Sequence, residues 1–201
     1  EMPGAGWSKT AREDALARLR AMGLPERRDE YWKFTRPDTL TQPNPLPAAV
    51  LGSEEAPLFD EMDRLKVVFV DGVFDADESD DLALEGITIE RLATATSDLH
   101  WARDLYGSLE LNGQDPVERP LASLNTAFAT DGVLIHVTGK PSKPVSLIYR
   151  HVSVTSDAIL HHCIKLDAGA ELTILENGPA AARFNKVMEV DVADGAKFHH
   201  V

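Results

Sequence analysis

The sequence predicts a mainly β chain in which an N-terminal α/β region leads into the first rungs of a parallel β-helix. The first observation behind this is a repeat: Ile164 to Leu175 reads IKLDAGAELTIL and Val190 to Val201 reads VDVADGAKFHHV. Gly169 and Ala170 return as Gly195 and Ala196, a period of 26 (195 − 169), and apolar character recurs at Ile164/Val190, Leu166/Val192, Leu172/Phe198 and Leu175/Val201. A fixed period of this size marks stacked units that each need a neighbour to bury an apolar face. The second observation is that from Val133 onward the chain is almost continuous short β-rich runs broken by Gly, Pro and Asp. The third is that helical spacing is confined to residues before that point.

Residues 1–42 read as a helical segment. Thr10 and Glu13 have capping-box spacing, Ala15, Leu16, Leu19 and Met22 share a face, and Gly23 with Pro25 supplies the stop. Residues 23–34 hold a second short amphipathic turn with Tyr31, Trp32 and Phe34, closed off by Pro37. Pro43, Pro45 and Pro47 make a stiff, extended connector, which places a boundary there.

Residues 43–132 read as a mixed α/β region. Lys66 to Phe74 carries two β-rich runs around Asp71-Gly72, the dipeptide that suits a type I′ hairpin. An acidic loop (75–81), a strand at Ile87–Arg91, a helix at Leu99–Tyr106 capped by Ser97 or Asp98, and a helix at Leu121–Ala129 follow. Residues 133–201 form a partial β-helix core, with strands expected at Val133–Val137, Val145–His151, Leu160–Leu166, Leu172–Glu176, Phe184–Val192 and Lys197–Val201.

Composition narrows the function classes. Apolar residues make up 43% of the 201, which is ordinary for a globular protein. Twenty Lys and Arg against 33 Asp and Glu give −13, a charge that repels phosphate backbones and acidic membranes, so neither nucleic acid nor membrane is expected as a partner. The longest apolar runs fall short of a membrane span, and EMPGAGWSKTARED lacks the basic-then-apolar order of a signal peptide. A lone cysteine, Cys163, forms no intrachain disulfide, and a cytoplasmic location is the expectation.

Local catalytic devices fail on spacing. An EF-hand started at Asp75 puts Asp80 where Gly is needed and Gly86 where the bidentate Glu belongs, so the loop reads as a solvated acidic run. Gly139-Lys140 has Leu134 and Pro141 at the other P-loop positions, and Gly4-Ala5-Gly6 has Lys9 in place of a third Gly. The cluster of interest is His161-His162-Cys163. Strand alternation puts His161 and Cys163 on one face and His162, Ile164 and Leu166 on the other. With the apolar set inward, His161 and Cys163 point outward, and the period sets Glu189 beside Cys163 and Val187 beside His161. Imidazole, thiolate and carboxylate suit iron or zinc, but three such residues without closed-site spacing read first as ordinary strand residues. His200, standing where Ile174 stood, marks a polar core position or a distorted end rung. No catalytic, cofactor-binding or metal-ligating residue is assigned.

Two segments carry a family resemblance. GLPERRDEYWKFT (23–35) resembles the N-terminal signature of the SufD branch of the SufB/SufD family, and SLNTAFATDGVLIHV (123–137) is similar to the family's Leu-Asn-x-Ala-Phe segment ending in Asp-Gly. The resemblance runs from about residue 10 onward and covers about the N-terminal half of a family member. It implies a right-handed parallel β-helix core and a non-catalytic, cytoplasmic scaffold subunit that assembles with a SufB-like subunit and a SufC-like ATPase to build iron–sulfur clusters. The cluster belongs to the assembled complex, and no cofactor is expected on these residues. A homodimer is a further expected partner, since open strand edges on an end rung invite another chain. The rival readings are a carbohydrate-active β-helix enzyme, which needs paired carboxylates beside an aromatic platform, and a small-molecule-binding β module.

Overall fold

The computed structural model describes residues 6–50, 58–95, 97 and 100–201. Leu99, Asp98 and the start of the helix expected there lie outside the described residues.

Helix α1 (Lys9–Met22) follows a 3-10 turn at Gly6–Ser8. Its cap is Ser8, two residues earlier than the Thr10 of the expected box, and no side-chain cap bond forms. The helix is held from elsewhere. Arg12, buried, donates through Nη1 to the carbonyls of Ala127 (3.3 Å) and Ala129 (3.0 Å), and its guanidinium lies 5.2 Å from the Tyr106 ring centroid. A 3-10 turn at Glu30–Trp32 and the single-turn helix α2 (Asp38–Thr41) complete the N-terminal segment. The aromatics of the expected amphipathic turn do not bury: Tyr31 is 60% and Phe34 94% exposed.

Strands β1 (Leu65–Val70) and β2 (Val73–Asp75) make the expected hairpin. Asp71 and Gly72 both take positive φ (48° and 81°), as a type I′ turn requires. Strand β3 (Ile87–Arg91), a 3-10 turn at Trp101–Asp104, α3 (Ser108–Asn112) and α4 (Pro120–Phe128) follow. The remaining strands are β4 (Val133–Val137), β5 (Val145–Arg150), β6 (Asp157–Leu166), β7 (Glu171–Asn177), β8 (Arg183–Val192) and β9 (Lys197–His200).

These strands form two mostly parallel sheets, ordered β2-β1-β5-β7-β9 and β3-β4-β6-β8, in a mixed α/β chain; neither sheet closes into a barrel. Among the described strand pairs, β1–β2 and β3–β4 are antiparallel and the rest parallel. From β4 onward consecutive strands alternate between the sheets. Cys163 faces Glu189 and Glu171 faces Lys197, both offsets of 26 (189 − 163, 197 − 171), as the repeat predicts. One unit earlier the offset is 29: Leu134 faces Cys163 (163 − 134) and Val145 faces Ile174 (174 − 145).

The main core lies between the sheets and includes Phe69, Ile135, Leu147, Ile164, Leu166 and Ile174. A second core, with Trp7, Leu105, Tyr106, Ala129, Leu134 and Cys163, lies on the outer face of the β4–β6–β8 sheet. Helical structure therefore covers that sheet on its second side, and β6 reads as an unbroken buried run from Leu160 to Ile164 rather than an alternating one. This corrects the expected placement of His161 and Cys163. They do face away from the inter-sheet core, but they are fully buried beneath the helical layer rather than open to solvent. Among the described residues no helix is long and apolar enough to cross a membrane.

Candidate functional site

The register of β6 against β8 brings His161, Cys163 and Glu189 together, with one ligand-type atom from each within 4.8 Å of the others. His161 and Cys163 have no exposed surface and Glu189 is 1% exposed. The Tyr106 ring covers His161, centroid to centroid 4.2 Å.

The hydrogen bonds decide what this group can do. Glu189 Oε2 accepts from the Gly107 N–H (2.5 Å) and from His161 Nε2 (2.8 Å). Its Oε1 accepts from the Leu109 (2.8 Å) and Glu110 (2.9 Å) N–H groups at the start of α3. On the other side of the ring, His161 Nδ1 lies 3.0 Å from Asn125 Oδ1. The Asn125 amide is oriented by its Nδ2, which donates to Leu160 O, Asn185 O and Asn185 Oδ1 at 3.0–3.1 Å. Both ring nitrogens thus lie within hydrogen-bond distance of a side-chain oxygen, so the imidazole is engaged on both edges.

A metal would need a free lone pair on His161, a thiolate and open carboxylate oxygens. Both ring nitrogens are already engaged, and the carboxylate is met by the Gly107, Leu109 and Glu110 N–H groups and by His161 Nε2. Burial, reinforced by the Glu189 charge, pushes the Cys163 thiol well above its ordinary range, so it stays protonated. The residue types suit zinc or iron, but their atoms are already engaged, and the group reads as a closed hydrogen-bonded cluster that fastens α3 to β6 and β8.

A second polar group sits between the sheets; strand alternation puts His162 on that inward face and the repeat marks His200, but neither joins them to Tyr149, Glu176 and Lys186. His162 Nδ1 accepts from the Val133 N–H (3.0 Å), so its proton is on Nε2, 2.9 Å from Tyr149 Oη. The tyrosine in turn donates to Glu176 Oε1 (2.5 Å). Lys186 Nζ (2.5 Å) and His200 Nε2 (2.8 Å) complete the contacts of Glu176. Burial lowers His162 to about 3 and raises Tyr149 well above its ordinary value. Burial opposes ionisation of Glu176 as well, but the hydrogen bonds from Lys186 and Tyr149 outweigh it and carry its carboxyl below the ordinary value. The available signal was parity: Glu176 is two residues beyond inward Ile174, and Ile174 faces His200. His199 is exposed, on the opposite face of β9.

No protein-family model matches the chain, and no curated protein matches it.

Proposed function

We propose that the chain is a non-catalytic scaffold subunit for iron–sulfur cluster assembly, working with a SufB-like subunit and a SufC-like ATPase in the cytoplasm, and that its two parallel stacks are the first rungs of a right-handed parallel β-helix. The observation that carries this reading is the alternation of β4 to β9 between two parallel sheets, at offsets of 29 and then 26 residues, in a chain that also bears the two SufD-like segments. Stacked strands of this kind hold a surface in fixed geometry, as an assembly subunit requires.

The state of the polar groups agrees. His161, Glu189, His162, Tyr149 and Glu176 are all engaged with one another or with the backbone. The carboxylates that a sugar-cleaving site would use are also engaged: Glu171 bridges Lys140 (2.8 Å) and Lys197 (3.0 Å), and it differs from Glu176 by an odd number of strand positions, so the two occupy opposite faces of β7. Iron–sulfur chemistry would then reside in the assembled complex. Co-expression of the full-length protein with SufB-like and SufC-like subunits should yield a complex that stays together through affinity and size-exclusion steps. Elution of the full-length protein free of both subunits would overturn the proposal.

A further inference from the structure

One cleft in the molecule has the character of a recognition site. It is about 390 Å³, within the range of sites that accept ligand groups, and Leu24, Leu40, Leu121, Leu124, Ile159 and Phe184 form its apolar walls. The walls are braced. Arg183 forks onto Asp157 (2.5 and 2.7 Å) and donates through Nη1 to the carbonyls of Leu40 (3.3 Å) and Gln42 (2.7 Å), while Asn185 Nδ2 donates to Leu121 O (2.8 Å). The cleft is therefore pre-formed, which lowers the ordering cost of filling it. Gln42, in the same wall, holds a buried Nε2 with no acceptor. A buried donor of that kind calls for a carbonyl or carboxylate.

The apolar surface extends past the cleft. Leu24 is 45% exposed, and Tyr31 stands beside the N-terminus of α4, where the Arg119 guanidinium lies 5.8 Å from its ring centroid. A small molecule filling the cleft would leave this rim in water, whereas a protein segment would cover it. Charge selects the segment. Residues 20–36 carry Arg20, Arg27, Arg28, Lys33 and Arg36 against Glu26, Asp29 and Glu30, a local balance of +2 (5 − 3) in a chain of −13.

We propose that this cleft receives an acidic, amphipathic segment of a partner protein, with its apolar side chains between Leu24, Leu40 and α4 and its carboxylates on the basic residues of the 20–36 segment. The proposal goes beyond the assembly reading and rests instead on the cleft, its exposed rim and the local charge. Apolar burial supplies affinity, and the opposed charges set orientation and disfavour basic partners.

The test is fluorescence anisotropy of a labelled synthetic helix bearing Leu and Phe along one face and Glu along the other, titrated with the full chain. Binding should weaken about tenfold in Leu24→Asp/Leu40→Asp and by a similar factor in Arg27→Glu/Arg28→Glu, and should fall with added salt. All four residues lie outside the buried cores, so the folded state survives the changes and circular dichroism verifies this. Equal binding of a Lys-for-Glu version of the peptide, indifference to both double variants, or no binding at about 1 mM would each overturn the proposal. So would preferential binding to anionic phospholipid vesicles, or a dimer of this chain that disappears in Leu24→Asp/Leu40→Asp.

Discussion

His161 and Glu189, 28 residues apart in sequence, meet at 2.8 Å in a position where neither has contact with solvent. The pair ties two strands of one sheet to the first N–H groups of α3. Removing Glu189 leaves His161 Nε2 and the Gly107, Leu109 and Glu110 N–H groups without their acceptor, so Glu189→Ala should lower unfolding free energy by about 3–5 kcal/mol. Urea titration measures it; a loss below about 1 kcal/mol would place the pair among ordinary surface contacts.

Cys163 is enclosed by the same group. Its native-state reaction with a thiol-specific disulfide reagent should proceed only through opening of the helical layer, at least about a hundredfold more slowly than in urea. Cobalt(II) added to the folded protein should give no thiolate-to-metal absorption. A band abolished by Cys163→Ser would mean that a metal displaces the N–H donors of Glu189.

His162 predicts an acid-sensitive stability. Its ordinary value of 6.5 falls to about 3 in the folded state, so between those limits the unfolded chain binds more protons than the native one. Stability therefore declines as pH falls through that window, at about 1.4 kcal/mol per pH unit at most. Glu176, whose carboxyl is depressed, adds a loss in the same direction at lower pH. His162→Gln should flatten the decline between pH 6 and 4 in urea titrations, and an unchanged slope would assign it to other groups.

Two kinds of glycine should respond differently to substitution. Gly132 has φ +156°, and a Cβ there would stand 1.9 Å from the His161 carbonyl oxygen. Gly132→Ala should cost at least about 2 kcal/mol, since backbone must move. At Gly169, φ is +74° with nothing within 4 Å of a Cβ, so Gly169→Asn should be far milder, asparagine tolerating that conformation. Equal thermal shifts for the two would contradict the close approach.

The period that reveals the strands in sequence also hides part of them. The units from β6 onward repeat at 26, but the first offset is 29 because three extra residues lie between β5 and β6: Val145 to Cys163 spans 18 positions and Ile174 to Glu189 spans 15. A self-comparison at fixed spacing misses that unit. Alternation correctly put His161 and Cys163 on the face opposite Ile164, and the repeat correctly put Glu189 beside Cys163. What alternation along one strand cannot reveal is a cover supplied by distant residues. Trp7, Tyr106 and Ala129 reach the outer face of β6 from sequence positions with no periodic relation to it. The Thr10/Glu13 box misleads for a related reason: tertiary contacts from Arg12 and the preceding turn set where α1 starts, overriding the local capping signal.

Arg12 donates to a carbonyl 117 residues further along the chain, whereas the parallel strands from β4 onward pair across only 26 to 29. At a synthesis rate of about 5–20 residues per second, α1 leaves the ribosome roughly 6–23 seconds before the residues that seat it exist. Its half-apolar face stays unsatisfied through that interval. Helix α1 is thus translated well before the residues that seat it, and that interval is when it is most open to chaperones or to self-association.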